Sequence, residues 1–180
     1  PQEITYGGSI TSRVEDVTVS GLADTDTLNS IVLTANRTDA GEGKINATNA
    51  EVLRGATNAT ANYEITCVAG DLTINKQAIV WTCETTRTFT YSGNGNTVTC
   101  SASVGNVTYS YEGNEYTAAG DTVLSETKVS GQTNTIVNAG EYVVTATTNA
   151  SSNNYSNLEV EIIVVIAKAE RVASAAEETT

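Results

Sequence analysis

The sequence predicts an all-β protein made of two tandem sandwich domains. Of its 180 residues, 44 are Thr or Ser, and β-branched and small polar side chains suit a pleated sheet with one face in water. No long stretch repeats apolar residues at helical spacing. Short alternating segments are separated instead by Gly, Asn and Asp, which form tight turns. This combination is typical of two-layer β domains.

Nine segments alternate or run apolar, and each is predicted to be a strand. In chain order they are 17–19, 30–34, 63–68, 71–74, 79–83, 97–103, 107–111, 141–146 and 158–166. Glycine-containing turns separate several of them, at 6–8, 39–41, 69–71, 92–95 and 138–140. The longest apolar run, 162–167, is strand-sized and falls short of the ~18 residues that a membrane helix needs.

Charge and composition exclude several classes of function. The chain has 9 Lys and Arg against 21 Asp and Glu, no His, and a formal net charge of −12. A nucleic-acid partner needs a basic face, and an anionic membrane surface repels so acidic a chain. The absence of His removes the commonest general base and zinc ligand. We therefore predict no enzyme activity, no cofactor, no metal and neither of those two partners.

An internal repeat organises the chain. Lys76 and Lys168 each follow a segment that ends in Ile, at an offset of 92 residues (168 minus 76). Asn62-Tyr63 and Asn154-Tyr155 recur at the same offset. The 39–41 and 138–140 turns, Asp-Ala-Gly and Asn-Ala-Gly, recur at a somewhat longer one. Two homologous domains explain this order, with the boundary near residue 77.

These motifs resemble a known family. In the first half, Ile4-Thr5-Tyr6-Gly7-Gly8, Asn62-Tyr63-Glu64-Ile65 and Gly70-Asp71-Leu72-Thr73-Ile74 resemble the MBG-type bacterial immunoglobulin-like repeats. In the second, Tyr91-Ser92-Gly93-Asn94 and Asn138-Ala139-Gly140-Glu141-Tyr142 resemble the related YDG repeats, with Ser92 where Asp is usual. The resemblance implies immunoglobulin-like sandwiches in a large extracellular protein at a bacterial cell surface. It implies a structural, adhesin-like context rather than a particular ligand.

The repeat frame predicts domains at 1–77 and 78–168, followed by a tail at 169–180. The second domain begins with a strand before its Tyr-Ser-Gly turn, whereas the first begins almost at its Tyr-Gly-Gly turn. The tail falls in the place of a first strand for a following domain, so Arg171, Val172, Ala173, Ser174 and Ala175 are candidates for an intersubunit strand. The alternatives are a segment of a longer tandem array and a frayed terminus. Strand donation would make neighbouring copies the partners, joined head to tail.

The three cysteines leave two interpretations open. Cys83 and Cys100 lie on successive predicted strands of the second domain, and a disulfide between them would suit an extracellular chain. Alternatively all three, with Cys67, are small buried residues. Carboxylate pairs such as Asp24 and Asp26 suit a turn better than a calcium site, because no series of oxygen ligands follows them.

An aromatic group offers a second function. Tyr109, Tyr111 and Tyr116 are a candidate platform on which a glycan ring could stack, although aromatic residues of a sandwich usually belong to its core. The first hypothesis is a structural spacer in an extracellular stalk or fibre. The others are an adhesion module that binds a glycan or host protein through loops of the second domain, and a virion decoration domain.

Overall fold

The computed structural model describes the backbone of residues 1–119 and 123–171, and the side chains of this set other than 118, 119, 123 and 124. Within these residues the chain is almost entirely β, and its only helical elements are two 3₁₀ turns, Val14–Asp16 and Thr60–Asn62. The all-β prediction is confirmed. No helix in this part of the chain is long and apolar enough to cross a membrane.

The described residues form sixteen strands, many of them short. They are β1 Gln2–Thr5, β2 Asp26–Ala35, β3 Gly41–Arg54, β4 Thr57–Asn58, β5 Gly70–Asn75, β6 Gln77–Ala78, β7 Trp81–Thr82, β8 Thr86–Thr90, β9 Asn96–Thr97, β10 Ser101–Ala102, β11 Val107–Ala119, β12 Val123–Gly131, β13 Thr135–Ile136, β14 Gly140–Thr148, β15 Tyr155–Ser156 and β16 Glu159–Ala167. The chain divides into two compact units. Unit 1 comprises residues 1–78 and 151–156, and unit 2 comprises residues 79–150 and those from 157 onward.

Unit 1 is built on one mixed sheet with the strand order β1-β5-β3-β2, to which β4 adds beside β3. β1 runs parallel to β5, and the other pairs are antiparallel. One side of this sheet carries a small core of three buried residues, Ile45, Leu72 and Ile74. Partly buried side chains pack around it, namely Ile4, Tyr6, Ile10, Leu33 and Ala40.

Unit 2 contains a five-stranded sheet with the order β12-β11-β14-β16-β8. Its edge strand β8 runs parallel to β16, and the other pairs are antiparallel. Alternate residues of β14 and β16 face a buried core, which consists of Val98, Ile136, Tyr142, Val144, Ala146, Ile162, Val164 and Ile166. Two short ladders, β7 with β10 and β9 with β13, supply residues that pack on this core.

The two units share one strand register. In unit 1, Ile74 of β5 pairs with Ile4 on one side and with Gly41 on the other. In unit 2, Ile166 of β16 pairs in the same way with Phe89 and Gly140. The glycine of each Ala-Gly turn therefore opens the strand that lies beside β5 in unit 1 and beside β16 in unit 2.

The residue after each parallel edge strand is also placed alike. The Tyr6 amide donates to the Asn75 carbonyl at 2.8 Å, and the Tyr91 amide donates to the Ala167 carbonyl at 2.8 Å. Asn75 and Ala167 are related by the 92-residue offset read from the sequence. This matching hydrogen bond and the shared strand register define which positions of unit 1 and unit 2 are equivalent.

The structure corrects several strand predictions. Residues 17–19 form no strand, and residues 63–68 form none either. No predicted strand covers β1, β3, β8 or β12, which are all members of the main sheets. Of the predicted intersubunit strand, Arg171 is exposed and outside any strand. Val172, Ala173, Ser174 and Ala175 lie outside the described residues.

Candidate functional site

The predicted cysteine pair lies beside the core of unit 2. Cys83 and Cys100 form a disulfide that links the segment after β7 to the segment before β10. Trp81 on β7 packs against the same core, and its indole Nε1 donates to the Asn157 carbonyl at 2.8 Å. Cys67, in unit 1, is exposed and carries a free thiol.

The three candidate platform tyrosines are not brought together. Tyr109 and Tyr111 lie on the face of β11 that packs against the core, and Tyr116 lies on the opposite face. The Tyr109 hydroxyl accepts from the Cys100 amide at 2.8 Å and donates to the Cys100 carbonyl at 3.0 Å. Because two of the three rings are engaged in the core, they offer no shared stacking surface.

The other two rings have their own neighbours. Tyr111 meets Tyr142 edge to face with a centroid separation of 5.9 Å. Lys168 Nζ lies 4.6 Å from the ring centroid of Tyr116, a cation–π contact. Burial, together with nearby Glu115, raises the pKa of Tyr142 well above its ordinary value, so its hydroxyl stays protonated and donates to the Asn138 carbonyl at 2.8 Å.

A polar clasp around Asn154 joins the two chain segments of unit 1. The Asn154 side chain is buried, with 9% of the residue exposed. Its Oδ1 accepts from the Ala40 amide at 2.9 Å, and its Nδ2 donates to Asp39 Oδ1 at 2.9 Å. Its carbonyl accepts from the Gln77 amide at 2.9 Å. We call these four residues the Asn154 clasp.

Aromatic and main-chain contacts extend the clasp. Tyr155 meets Tyr6 edge to face, with ring centroids 5.4 Å apart. Tyr155 and Ser156 form β15, which pairs parallel with β6 at Gln77 and Ala78. The contact is therefore made by an Asn-Tyr dipeptide that supplies an amide, an aromatic ring and two residues of strand.

A second polar group of unit 1 centres on Asp26, whose side chain is fully shielded from solvent. The Arg54 guanidinium donates to it twice, from Nε at 2.7 Å and from a terminal nitrogen at 3.1 Å. The Tyr63 hydroxyl donates to the same carboxylate at 2.7 Å. These hydrogen bonds, first that from Arg54 and then that from Tyr63, lower the pKa of Asp26 from 3.8 to about 2.

Sequence reasoning found parts of these two groups and missed the rest. The recurrence of Asn-Tyr singled out both Asn154 and Tyr63 as repeat motifs, although it assigned them no contact. The ion pair between Asp26 and Arg54 could not be predicted from the sequence. The two residues meet because β2 and β3 pair, and no fixed sequence spacing identifies such a pair. Asp26 had been assigned to a turn, whereas it opens β2 and faces Arg54, the last residue of β3.

The Asn154 clasp and the Asp26 group have the chemistry of structural contacts within the fold. Within 1–119 and 123–171 no three His, Cys, Asp or Glu side chains converge as metal ligands would. The carboxylate of Asp26 is saturated by donors, and the amide of Asn154 uses both its oxygen and its nitrogen. Such arrangements fix one chain segment against another.

Comparison with known proteins adds no relative: no family model, curated protein or solved structure matches the chain.

Proposed function

We propose that this chain is a structural repeat module, two immunoglobulin-like sandwiches in tandem that act as a spacer in an extracellular stalk or fibre of a bacterial surface. The observation that carries the proposal is the shared register of the two units. Ile74 and Ile166 have the same neighbours, an edge strand in parallel and the glycine of an Ala-Gly turn. Two copies of one architecture in series lengthen the protein, and they do not by themselves create an active site.

Packing in unit 2 supports the sandwich part of the proposal. Trp81 on β7, Val98 after β9 and Ile136 on β13 pack on the core face of the five-stranded sheet. Short ladders that cover one face of a sheet are what a second layer requires. The disulfide between Cys83 and Cys100 supports an extracellular setting, since oxidising compartments preserve such bonds.

Linkage between copies is the second part of the proposal: residues 169–180 of one copy donate a strand to unit 1 of the next. In unit 2, the segment that precedes the parallel edge strand carries Trp81 onto the core. In the repeat frame residues 169–180 correspond to residues 77–88, which include this segment. A strand added to unit 1 would pair main-chain groups there, as β7 pairs with β10 in unit 2.

A graft tests the strand donation. Residues 169–180 are copied in front of residue 1, and the exchange rates of the β1 and β5 amides are measured by hydrogen–deuterium exchange. We expect the graft to slow exchange in unit 1, because the added strand contributes main-chain hydrogen bonds to it. A graft of the same twelve residues in scrambled order is the control. Equal protection from both grafts would contradict strand donation.

Electron microscopy of the native material tests the spacer function itself. A surface stalk or fibre should appear as continuous filaments with a regular repeat. Isolated particles that bind a glycan or a host protein through unit 2 would favour the adhesion function instead. The separation of Tyr109 and Tyr111 from Tyr116 removes the aromatic platform on which that alternative depended.

A further inference from the structure

An open pocket in unit 2 is lined by the counterparts of the residues that hold the Asn-Tyr dipeptide in unit 1. Tyr6, Asp39, Ala40, Lys76 and Gln77 of unit 1 correspond to Tyr91, Asn138, Ala139, Lys168 and Ala169 of unit 2, all of which line this pocket. The correspondence follows from the shared register and from the matching Tyr6 and Tyr91 amide bonds. We call these five residues of unit 2 the acceptor site.

The acceptor site presents hydrogen-bonding groups that the clasp uses in unit 1. The Ala40 amide donates to Asn154, whereas the Ala139 amide donates to no group within the described residues. Asn138 Nδ2 donates to Glu115 at 2.9 Å, and this bond orients the side-chain amide of Asn138. Its Oδ1 remains an acceptor, as Asp39 Oδ1 is for Asn154 in unit 1. The ring of Tyr91 is 40% exposed.

The chain also carries a second Asn-Tyr dipeptide, whose Asn amide is bonded in the same way. The Asn154 amide donates to the Ser151 carbonyl at 3.1 Å, and the Asn62 amide donates to the Ala59 carbonyl at 3.0 Å. Asn154 is buried in the clasp, but Asn62 is exposed, and its side chain makes no hydrogen bond among the described residues. The 59–64 segment, which we call the donor turn, therefore presents an Asn-Tyr dipeptide after a turn, as does the segment that the clasp holds.

We propose that the acceptor site of one copy binds the donor turn of a second copy of this chain. Asn62 Oδ1 accepts from the Ala139 amide, and Asn62 Nδ2 donates to Asn138 Oδ1, as Asn154 does with Ala40 and Asp39. Residues 63–64 run beside residues 169–170, as β15 runs beside β6, while the Tyr63 hydroxyl keeps its bond to Asp26 within unit 1.

Charge favours the same pairing. The pocket is lined by two cations, Lys168 and Arg171, and by one carboxylate, Glu115, which accepts from Asn138 Nδ2. Glu64, which follows Tyr63 in the donor turn, is exposed and would reach this basic rim. Unlike charges at the rim of an interface speed association and set its direction.

The donor turn belongs to unit 1 and the acceptor site to unit 2, so the contact is heterologous and leaves one free donor and one free acceptor on every pair. Such contacts build open chains unless their rotation closes a ring. The inference rests on the proposed head-to-tail function but does not need residues 172–180, which strand donation requires.

Self-association of the full chain tests the proposal, measured by sedimentation velocity and by the concentration dependence of the Ala139 amide NMR signal. We expect Asn62→Ala and Asn138→Ala each to weaken association about tenfold, because each removes hydrogen bonds to an otherwise unpaired partner. Asn46→Ala, at an exposed asparagine of β3 without a side-chain hydrogen bond among the described residues, is the matched control and should change neither signal. Native-like spectra establish that each variant is folded.

Mixing the two variants provides a sharper outcome. Asn62→Ala keeps a working acceptor site and Asn138→Ala keeps a working donor turn, so an equimolar mixture should form dimers and grow no further. A concentration-independent Ala139 signal in the unmodified chain would overturn the proposal. The proposal would also be overturned if association survived both substitutions but disappeared when residues 172–180 were deleted. That result would still support strand donation and the spacer function.

Discussion

Asp26 is a single residue that makes the stability of unit 1 depend on pH. Its carboxylate accepts from Arg54 and from Tyr63, which come from the end of β3 and from the extended segment after it. A buried carboxylate without such donors would be costly, and its partners therefore decide whether this position is stable. The stabilised species is the ionised one, because the donors lower its pKa to about 2.

The first prediction concerns acid. The pKa of Asp26 is lower in the folded chain, about 2, than its ordinary value of 3.8, so its contribution is complete above the ordinary value and is lost as pH falls towards 2. We expect Asp26→Asn to lower the Tm of unit 1 at neutral pH and to flatten its pH dependence in this window. NMR-detected melting of β2 and β3 amides measures both effects.

The control for this prediction is Asp24→Asn, at an exposed aspartate of the preceding turn. Its side chain makes no ion pair or hydrogen bond among the described residues, so its substitution should leave the acid response unchanged. Tyr63→Phe removes one donor but keeps the Arg54 pair, so it should cost about 1 kcal/mol and weaken the response to pH without abolishing it. An unchanged pH profile in Asp26→Asn would contradict the role assigned to this carboxylate.

The second prediction compares two residues of the same type. Asn154→Ala should destabilise unit 1 by about 2 kcal/mol, since it leaves the Ala40 amide without its acceptor and removes the bond to Asp39. Asn62→Ala, at the equivalent position of the repeat, should leave stability unchanged because its side chain is exposed and unbonded among the described residues. Urea unfolding followed by NMR of unit 1 amides distinguishes the two, and equal losses would contradict the clasp.

At the scale of elements, Gly113 explains how β11 can pair closely with the part of β14 that carries Tyr142. Gly113 of β11 pairs with Tyr142 of β14, whose ring is buried in the core of unit 2. A Cβ on Gly113 would lie 2.7 Å from the Tyr142 ring and would also meet the Glu141 carbonyl oxygen. The missing side chain therefore makes room for the aromatic ring across the strand pair.

The third prediction follows from that contact. Gly113→Ala should displace the Tyr142 ring and destabilise unit 2 by about 1–3 kcal/mol, the usual range for an overpacked core. Guanidinium unfolding followed by Trp81 fluorescence measures the change, because Trp81 packs on the same core. Gly70→Ala is the control, since nothing lies within 4 Å of a Cβ at that position. A neutral Gly113→Ala would show that the ring has room to move.

The fourth prediction concerns the disulfide of unit 2. Cys83 and Cys100 are 17 residues apart, and opening a loop of this length by Cys83→Ser with Cys100→Ser should cost about 3 kcal/mol. The same Trp81 fluorescence reports the loss. Cys67→Ser, at the exposed thiol of unit 1, should leave the transition in place. A shift in Cys67→Ser equal to that of the double variant would contradict this assignment.

The strands themselves show where sequence patterns succeed and fail. β14 and β16 were recognised because alternating apolar residues face one buried core. β3 was missed because its fourteen residues include few strongly apolar side chains, Ile45, Val52 and Leu53 among them. Residues 63–68 alternate like a strand, but Ile65 and Val68 remain 42% and 83% exposed because no strand pairs with the segment. Pairing partners are a tertiary property that local pattern does not contain.

For the molecule as a whole, the repeat offsets carried more information than the individual strand assignments. The 92-residue offset places Ile74 and Ile166 in equivalent positions, and the Ala-Gly turns open equivalent strands. Which surfaces the repeated Asn-Tyr dipeptides contact was beyond the sequence. Asn154 has neighbours more than a hundred positions away in the chain, at Asp39 and Ala40.

The fifth prediction concerns the net charge of −12. Copies of so acidic a chain repel one another, and salt shortens the range of that repulsion to ~8 Å at physiological ionic strength. We expect self-association of the full chain to strengthen as sodium chloride is raised from low concentration. Sedimentation velocity at a series of salt concentrations tests this, and weaker association with added salt would show that attraction at the rim outweighs the overall repulsion.

The division of unit 1 into residues 1–78 and 151–156 has a consequence for biosynthesis. A ribosome delivers the chain from its amino terminus, so the segment that provides Asn154 and Tyr155 emerges only after most of unit 2 has been made. Until then the Ala40 amide, Asp39 and the Tyr6 ring await their partners. The amino-terminal unit therefore reaches its final form late in translation, although nearly all of it is synthesised first.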